Sequence, residues 1–279
     1  MNKGAMMRFW TITMSLVFMG STLAGCASNN DDMAAQERPV EELYSEAAAA
    51  LDSEDFRAAT RLFEEVERQH PYSQWATRAE LMAAYASYKD TRYDEAILSL
   101  DRFIELHPGN ESIDYALYLR ALSFYEQISD VARDQAMTEE SLRAFDTLIR
   151  RFPDSRYTRD ASLKRDLTMD HLAGKEMEIG RYYLTRGEVN AAINRFLVVV
   201  KDFETTTHVQ EALHRLVESY LTLGLTGEAT KVAAVLGHNY PGSRWYQDSY
   251  ALLDDQQRAR ILADRGWVDK TVESLFRPD

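Results

Sequence analysis

The sequence predicts an all-α protein, a stack of about five helix pairs with one further helix covering the C-terminal end. Three observations lead there. Glycine and proline are scarce, 12 and 6 in 279 residues, so long stretches contain no helix breaker. Four of the prolines, Pro71, Pro108, Pro153 and Pro241, end segments of helical periodicity in the related strings H-P-Y-S, H-P-G-N, F-P-D-S and Y-P-G-S. Upstream of each stop, at one fixed offset, stands a small residue followed four positions later by an apolar one: Ala59 and Phe63, Ala96 and Leu100, Ser141 and Phe145, Ala229 and Ala233. Proline stops a helix, and a Ser or Asn just behind it can cap the next.

Taken in order, the first unit spans 40–73, with Phe56, Ala59, Phe63 and Val66 before its proline. The second, 75–110, repeats the pattern 37 residues on as Tyr93, Ala96, Leu100 and Phe103. The third, 111–155, carries Ser141, Phe145 and Leu148, and its two helices are separated by Gln127–Thr138. That connection is too long for a simple turn and is a candidate functional loop. The fourth, 157–205, reads Gly180-x-x-Tyr183, Gly187, Ala192, Phe196 and Val199, with Glu204 where the others have proline. The fifth, 207–243, begins with Leu213, Leu216 and Tyr220 and turns at Gly224. Antiparallel helices approach closely only where a small residue faces a large one, which explains why alanine alternates with a bulky partner one turn on. No such unit can bury its apolar face alone, so the units must stack. The pattern resembles the tetratricopeptide repeat, TPR, and that resemblance implies a right-handed solenoid. A terminal helix from Trp245 to about Asp264 is expected to cap the last pair. The tail 266–279 is expected to be loose, with Trp267 and Phe276 its only contacts.

The N-terminal residues read differently. Lys3 and Arg8 precede an apolar run, Phe9–Met19, which leads to Leu23-Ala24-Gly25-Cys26. A basic start, a short apolar stretch and small residues at the end describe a secretory signal over 1–25. The run is shorter than the roughly 20 residues that span a bilayer. Cys26 is the one cysteine of the chain. Its place at the end of L-A-G-C resembles the bacterial lipobox, which implies a covalent lipid on Cys26 and no other cofactor. Ala27, rather than Asp, then implies sorting to the periplasmic face of the outer membrane. Polar residues without period, 26–39, read as a lipidated tether. With the thiol lipidated no disulfide can form, so packing alone must hold the fold. The whole chain carries a net charge of −13, and loss of Lys3 and Arg8 makes the mature part more acidic still. Such a protein is a poor partner for nucleic acid or anionic headgroups.

Lipobox, tether and five units together resemble the BamD family, also called ComL or YfiO. The strings carrying the resemblance are I-D-Y-A-L-Y-L-R (Ile113–Arg120), R-R-F-P-D-S-R-Y (Arg150–Tyr157), G-R-Y-Y-L-T-R-G (Gly180–Gly187) and A-I-N-R-F (Ala192–Phe196). To these is added H-N-Y-P-G-S (His238–Ser243), which looks alphaproteobacterial. The resemblance implies a non-enzymatic scaffold for inserting β-barrel proteins. Its implied partners are a BamA-like insertase, other Bam lipoproteins and unfolded β-barrel outer-membrane proteins. The alternative is a periplasmic TPR adaptor lipoprotein for envelope or division complexes.

In a TPR stack the first helix of each pair lines one face. Tyr44, Tyr85, Tyr88, Tyr115, Tyr118 and Tyr125 fall there, with Arg78 and Lys89 beside them, a candidate peptide groove. Tyrosine offers apolar area with a hydrogen-bonding tip at low entropic cost, and the two cations suit a carboxylate. Arg181, Arg186 and Arg195, in a region the resemblance sets against BamA, form the second candidate surface. Catalytic patterns fail on spacing. His208 and His214 lie six apart rather than four, and no phosphate-loop or nucleophile-elbow motif occurs.

Overall fold

The structure, a computed structural model, describes residues 37–263 and 265–276. Cys26, the signal and most of the tether lie outside the described residues. Among those described there are thirteen helices and no strand. Ten form five pairs. These are α1 (Val40–Asp52) with α2 (Phe56–Gln69), α3 (Gln74–Lys89) with α4 (Tyr93–Leu106), α5 (Ile113–Tyr125) with α6 (Ala136–Arg151), α7 (Thr158–Thr185) with α8 (Val189–Asp202), and α9 (Val209–Thr222) with α10 (Thr226–Asn239). Three more follow: α11 (Arg244–Leu252), α12 (Asp255–Ala263) and α13 (Arg265–Phe276).

Two turn types recur and make the array a solenoid. Within four of the five pairs the connection has three residues, and its centre is left-handed: Glu54 (φ 62°), Thr91 (φ 60°), Gly187 (φ 76°) and Gly224 (φ 73°). Each is closed by the long bond of a Schellman motif, such as Arg92 N–H to Ser87 C=O and Glu188 N–H to Tyr183 C=O, both 3.0 Å. After each pair, the residue just beyond the second helix (His70, His107, Phe152, Phe203 or Tyr240) accepts at its carbonyl from the N–H three positions on. The fourth such turn lacks proline yet closes in the same way, Thr206 N–H to Phe203 C=O at 3.0 Å. The geometry therefore belongs to the turn, and proline only reinforces it.

The core is segmented. One cluster combines α1 and α2 with α3, through Leu43, Ala59, Phe63 and Ala83. The next combines α3 and α4 with α5, and the third α5 and α6 with α7. A longer cluster runs from α7 to α13. Every unit thus finishes its core with the first helix of the following unit, as a stacked array requires. Ala59, Ala96, Ala192 and Ala229 are fully buried, as are Phe63, Leu100, Phe145 and Phe196. Gly180 shows the constraint at its sharpest. A Cβ there would lie 2.4 Å from Cε1 of Phe196, so the ring rests on bare backbone. Gly237 is similar, with Tyr246 and Tyr250 of α11 occupying the space a Cβ would need.

Two expectations at the C-terminus are corrected. The single capping helix is two, broken at Leu253, whose extended backbone (ψ 148°) turns its buried side chain into the core. Asp254 starts α12 with a reciprocal capping box: its carboxylate accepts from Gln257 N–H at 2.7 Å, and the Gln257 amide oxygen accepts from Asp254 N–H at 2.8 Å. The segment expected to be loose contains α13, which packs on α10 and α8. Its apolar positions Val268, Val272 and Leu275 recur at helical spacing and join the long core cluster.

Polar groups tie neighbouring units. Buried Glu80 accepts from Arg102 at 3.2 Å and meets His107 Nε2 at 3.0 Å, while Arg102 also reaches Glu67 at 2.9 Å. Buried His214 meets Ser249 Oγ through Nδ1 at 2.8 Å and Glu218 through Nε2 at 3.4 Å. The hydrogen bond from His214, followed by that from Arg215, holds the Glu218 carboxyl down at about 2. Ser249 is fully buried, so this Ser–His–Glu sequence is a structural tie between α9 and α11.

Ser141 occupies the alanine register of the third unit, fully buried, and its Oγ has no hydrogen-bond partner. Ser141→Ala should therefore stabilise the protein by about 1 kcal/mol, because an unsatisfied buried hydroxyl carries its desolvation cost uncompensated. Urea titration should show a higher midpoint at unchanged slope; an unchanged or lower midpoint would contradict this reading.

Candidate protein-binding surfaces

The tyrosines expected along the first helices divide into three groups. Tyr44 packs between the first unit and α3, its ring 5.4 Å from Phe63 and 4.7 Å from Trp75. Tyr125 lies edge-on to buried Phe145 at 6.0 Å, with the Lys164 ammonium 5.9 Å over its ring. Tyr85, Tyr88, Tyr115 and Tyr118 are brought together, all half-buried, on α3 and α5. Tyr85 and Tyr115 rings lie 6.5 Å apart.

Two tyrosines absent from the sequence-based set complete this cluster. Tyr157, in the turn before α7, stacks on Tyr118 at 4.9 Å with 16° between planes, and lies 5.3 Å from Tyr115. Tyr93 flanks Tyr88 at 5.7 Å. Tyr157 stands in R-R-F-P-D-S-R-Y, and its turn position hid it from a search along helix faces. The cluster therefore bridges the first helices of units two and three to the start of unit four.

Its electrostatics follow from partial burial. Desolvation pushes the Tyr88 phenol up to about 12, helped by Glu126 nearby. Burial likewise raises Tyr115 and Tyr118, so the row stays neutral and hydrogen-bonding. The Tyr118 hydroxyl donates to Asp160, and this bond, with the Lys164 ammonium 2.9 Å away, holds the Asp160 carboxyl below its ordinary value.

The two cations expected at the groove lie by other rings. The Lys89 ammonium lies 5.8 Å over the Phe56 ring at the start of α2. Exposed Arg78 acts electrostatically on Tyr44. Arg156 lies directly on the cluster, its guanidinium 4.7 Å over the Tyr157 ring.

The three arginines of the second candidate surface do not form one patch. Arg195 on α8 donates to Glu176 of α7 at 3.0 Å and lines a shallow cleft of about 220 Å³ with Tyr183, Ala191, Asn194 and Val198. Arg181 on α7 pairs with Glu211 of α9 at 3.2 Å and lines a different cleft, of about 470 Å³, with His171 and His208. Arg186 is exposed, covering the Tyr182 ring at 5.5 Å and donating to the Tyr182 hydroxyl at 2.9 Å. Arg181 and Arg195 thus tie adjacent helices while about two-fifths of each side chain remains exposed.

The third unit's loop is closed from within. The Gln135 amide donates to the carbonyls of Asp130, Val131 and Arg133 at 3.0–3.3 Å, and its oxygen accepts from Thr138 at 2.9 Å. Lys175 of α7 donates to Ala132 C=O at 3.1 Å. Residues 136–138 already belong to α6, so the connection is shorter than expected and latched to the next unit.

The family model YfiO, described as outer membrane lipoprotein, matches residues 36–236. Three curated relatives are each named outer membrane protein assembly factor BamD. That of Caulobacter vibrioides is 51% identical over 246 residues, covering 88% of this chain and 81% of its own. That of Rickettsia prowazekii is 46% identical over 253 residues, covering 90% and 100%. That of Neisseria meningitidis serogroup A is 36% identical over 241 residues, covering 81% and 90%. A solenoid of helix pairs with this extent of sequence agreement leads to one conclusion: the chain belongs to the YfiO, or BamD, family of outer membrane lipoproteins.

Proposed function

We propose that this chain is a non-enzymatic assembly factor for outer-membrane proteins. In this reading lipid on Cys26 holds it at the periplasmic face of the outer membrane. Tyr85, Tyr88, Tyr115, Tyr118 and Tyr157 receive an extended segment of an unfolded β-barrel protein. The exposed side of α8 around Arg195 docks a BamA-like insertase, and other Bam lipoproteins complete the assembly. The observation that supports it most is the tyrosine cluster. Aromatic side chains from three consecutive units lie side by side, packed on the core beneath yet none of them fully buried. Partly buried tyrosines supply apolar area and hydrogen bonds together, the composition of peptide hot spots. Arg195 suits a docking role because a partner carboxylate can share its guanidinium with Glu176.

Two variants measured against two ligands test the division of labour. Tyr85→Ala with Tyr88→Ala should weaken a peptide ending in a barrel-type aromatic strand by about 2 kcal/mol, roughly thirtyfold, and leave BamA affinity in place. Arg195→Glu should do the reverse. Calorimetry on variants shown by circular dichroism to be folded reads both. Unchanged peptide affinity in the tyrosine variant would make those rings packing residues; loss of peptide and not BamA in Arg195→Glu would reverse the assignment.

The anchor has its own test. Cys26→Ala should accumulate uncleaved or mislocalised protein that no longer partitions with outer membrane. Mass spectrometry of the mature wild-type chain should find acylated Cys26, and an unmodified thiol would refute the anchor.

A further inference from the structure

We propose that Arg156 is the carboxylate seat of the tyrosine cluster and sets the polarity in which an extended peptide lies there: its C-terminal carboxylate at Arg156, its last aromatic side chain against Tyr115 and Tyr157, and its body towards Tyr85 and Tyr88. This inference rests on the reading of that cluster as a peptide site.

Arg156 sits in the turn before α7, exposed, over the face of Tyr157, and donates to the hydroxyl of that ring. Among the described residues no carboxylate stands within ion-pair distance of it. Two acids of the cluster, Asp114 and Asp160, are engaged by other groups. Asp114 accepts from Ser155 Oγ at 2.7 Å through one oxygen and from Tyr115 N–H at 2.8 Å through the other. Asp160 is held by Tyr118 and neutralised by Lys164 at 2.9 Å. In a chain of net charge −13, most arginines of the stack have found acids, as Arg102, Arg120, Arg181 and Arg195 have. A guanidinium left uncompensated and fixed on an aromatic face keeps its fork directed at an incoming carboxylate, with little side-chain entropy left to lose.

The opposite edge of the cluster carries the opposite sign. Glu126 lies against Tyr88 and Tyr93 and acts on both phenols. A carboxylate placed there would be repelled, while peptide N–H groups would be welcomed. Positive at Tyr157 and negative at Tyr88, the cluster has a direction, and only one orientation of a free peptide end satisfies both edges. The rings themselves span from Tyr85 to Tyr115 to Tyr157 in steps of 6.5 and 5.3 Å, a continuous apolar track between the two charges.

The test uses one ten-residue peptide of alternating apolar residues ending in Phe, made as the free acid and as the C-terminal amide. Both forms are titrated into the mature chain. Wild type should prefer the acid about tenfold, the contribution of a charge-assisted hydrogen bond. Arg156→Gln should abolish the preference while leaving amide affinity unchanged, and Arg156→Lys should keep part of it. Equal wild-type affinity for both forms would overturn the seat and leave the peptide site standing. A preference that survives Arg156→Gln but disappears in Arg78→Gln would move the seat to the first unit and overturn the proposal. An equal fall for acid and amide in Arg156→Gln would reduce Arg156 to a packing residue on Tyr157. If neither form binds wild type, the peptide site itself falls and the seat with it.

Discussion

The whole structure depends on how closely two helices of a pair can approach. That distance is set where a small residue meets a large one, and the tightest such contact is the Phe196 ring on the bare backbone of Gly180. Ala59, Ala96, Ala192 and Ala229 provide the same clearance for neighbouring helices. No disulfide relieves the packing of this duty, since the one cysteine lies at position 26. The helix spacing then fixes where the next unit can stack, because each core segment is completed by the first helix of the following unit. Side chains projecting from those first helices are therefore held at a repeat distance. Tyr85 and Tyr118 occupy one surface for this reason, although they stand far apart in the chain.

The α7 helix joins the two candidate surfaces. Its 28 residues begin beside the tyrosine cluster, at Asp160 and Lys164, and end at Tyr182 and Arg186. On the way it carries Lys175, which latches the third unit's loop, and Glu176, which holds Arg195. One rigid element thus fixes the separation of the peptide cluster from the α8 face. Any partner that displaces Glu176 from Arg195 acts on the same helix that carries Asp160, so the two surfaces share a mechanical element without sharing a residue.

Much of this was legible in the sequence, and the reason is periodicity. A position used by every unit, such as the alanine of Ala59 and Ala96 or the turn at Gly187 and Gly224, repeats at one spacing and announces itself. What the sequence concealed is used once. Tyr157 lies in a turn, off every helix face, and only the stack carries it onto Tyr118. Arg156 reads as one more solvated arginine until the stack is seen to set it over the Tyr157 ring. The left-handed turns at Glu54 and Thr91 were hidden because neither residue is the glycine that such a backbone favours. The helix break at Leu253 and the helix α13 did have signals, the D-D-Q-Q capping box and the 268, 272, 275 spacing. Both lie outside the repeat that organised the rest. The arginines of the second surface show the converse. Sequence places them near one another, but their glutamate partners on different helices draw them into separate clefts.

A double-mutant cycle at Gly180 and Phe196 tests the packing constraint directly. Alanine in a helix interior is ordinarily favoured over glycine by about 1 kcal/mol. In the wild-type background Gly180→Ala should nevertheless destabilise, because the added Cβ meets the buried ring. In a Phe196→Leu background, which removes the ring atoms it meets, the same change should become neutral or stabilising. The expected coupling is on the order of 1–2 kcal/mol, read from urea unfolding of the four proteins. Strictly additive effects, with Gly180→Ala equally costly in both backgrounds, would contradict the claim that close approach over a small residue sets the geometry of this solenoid.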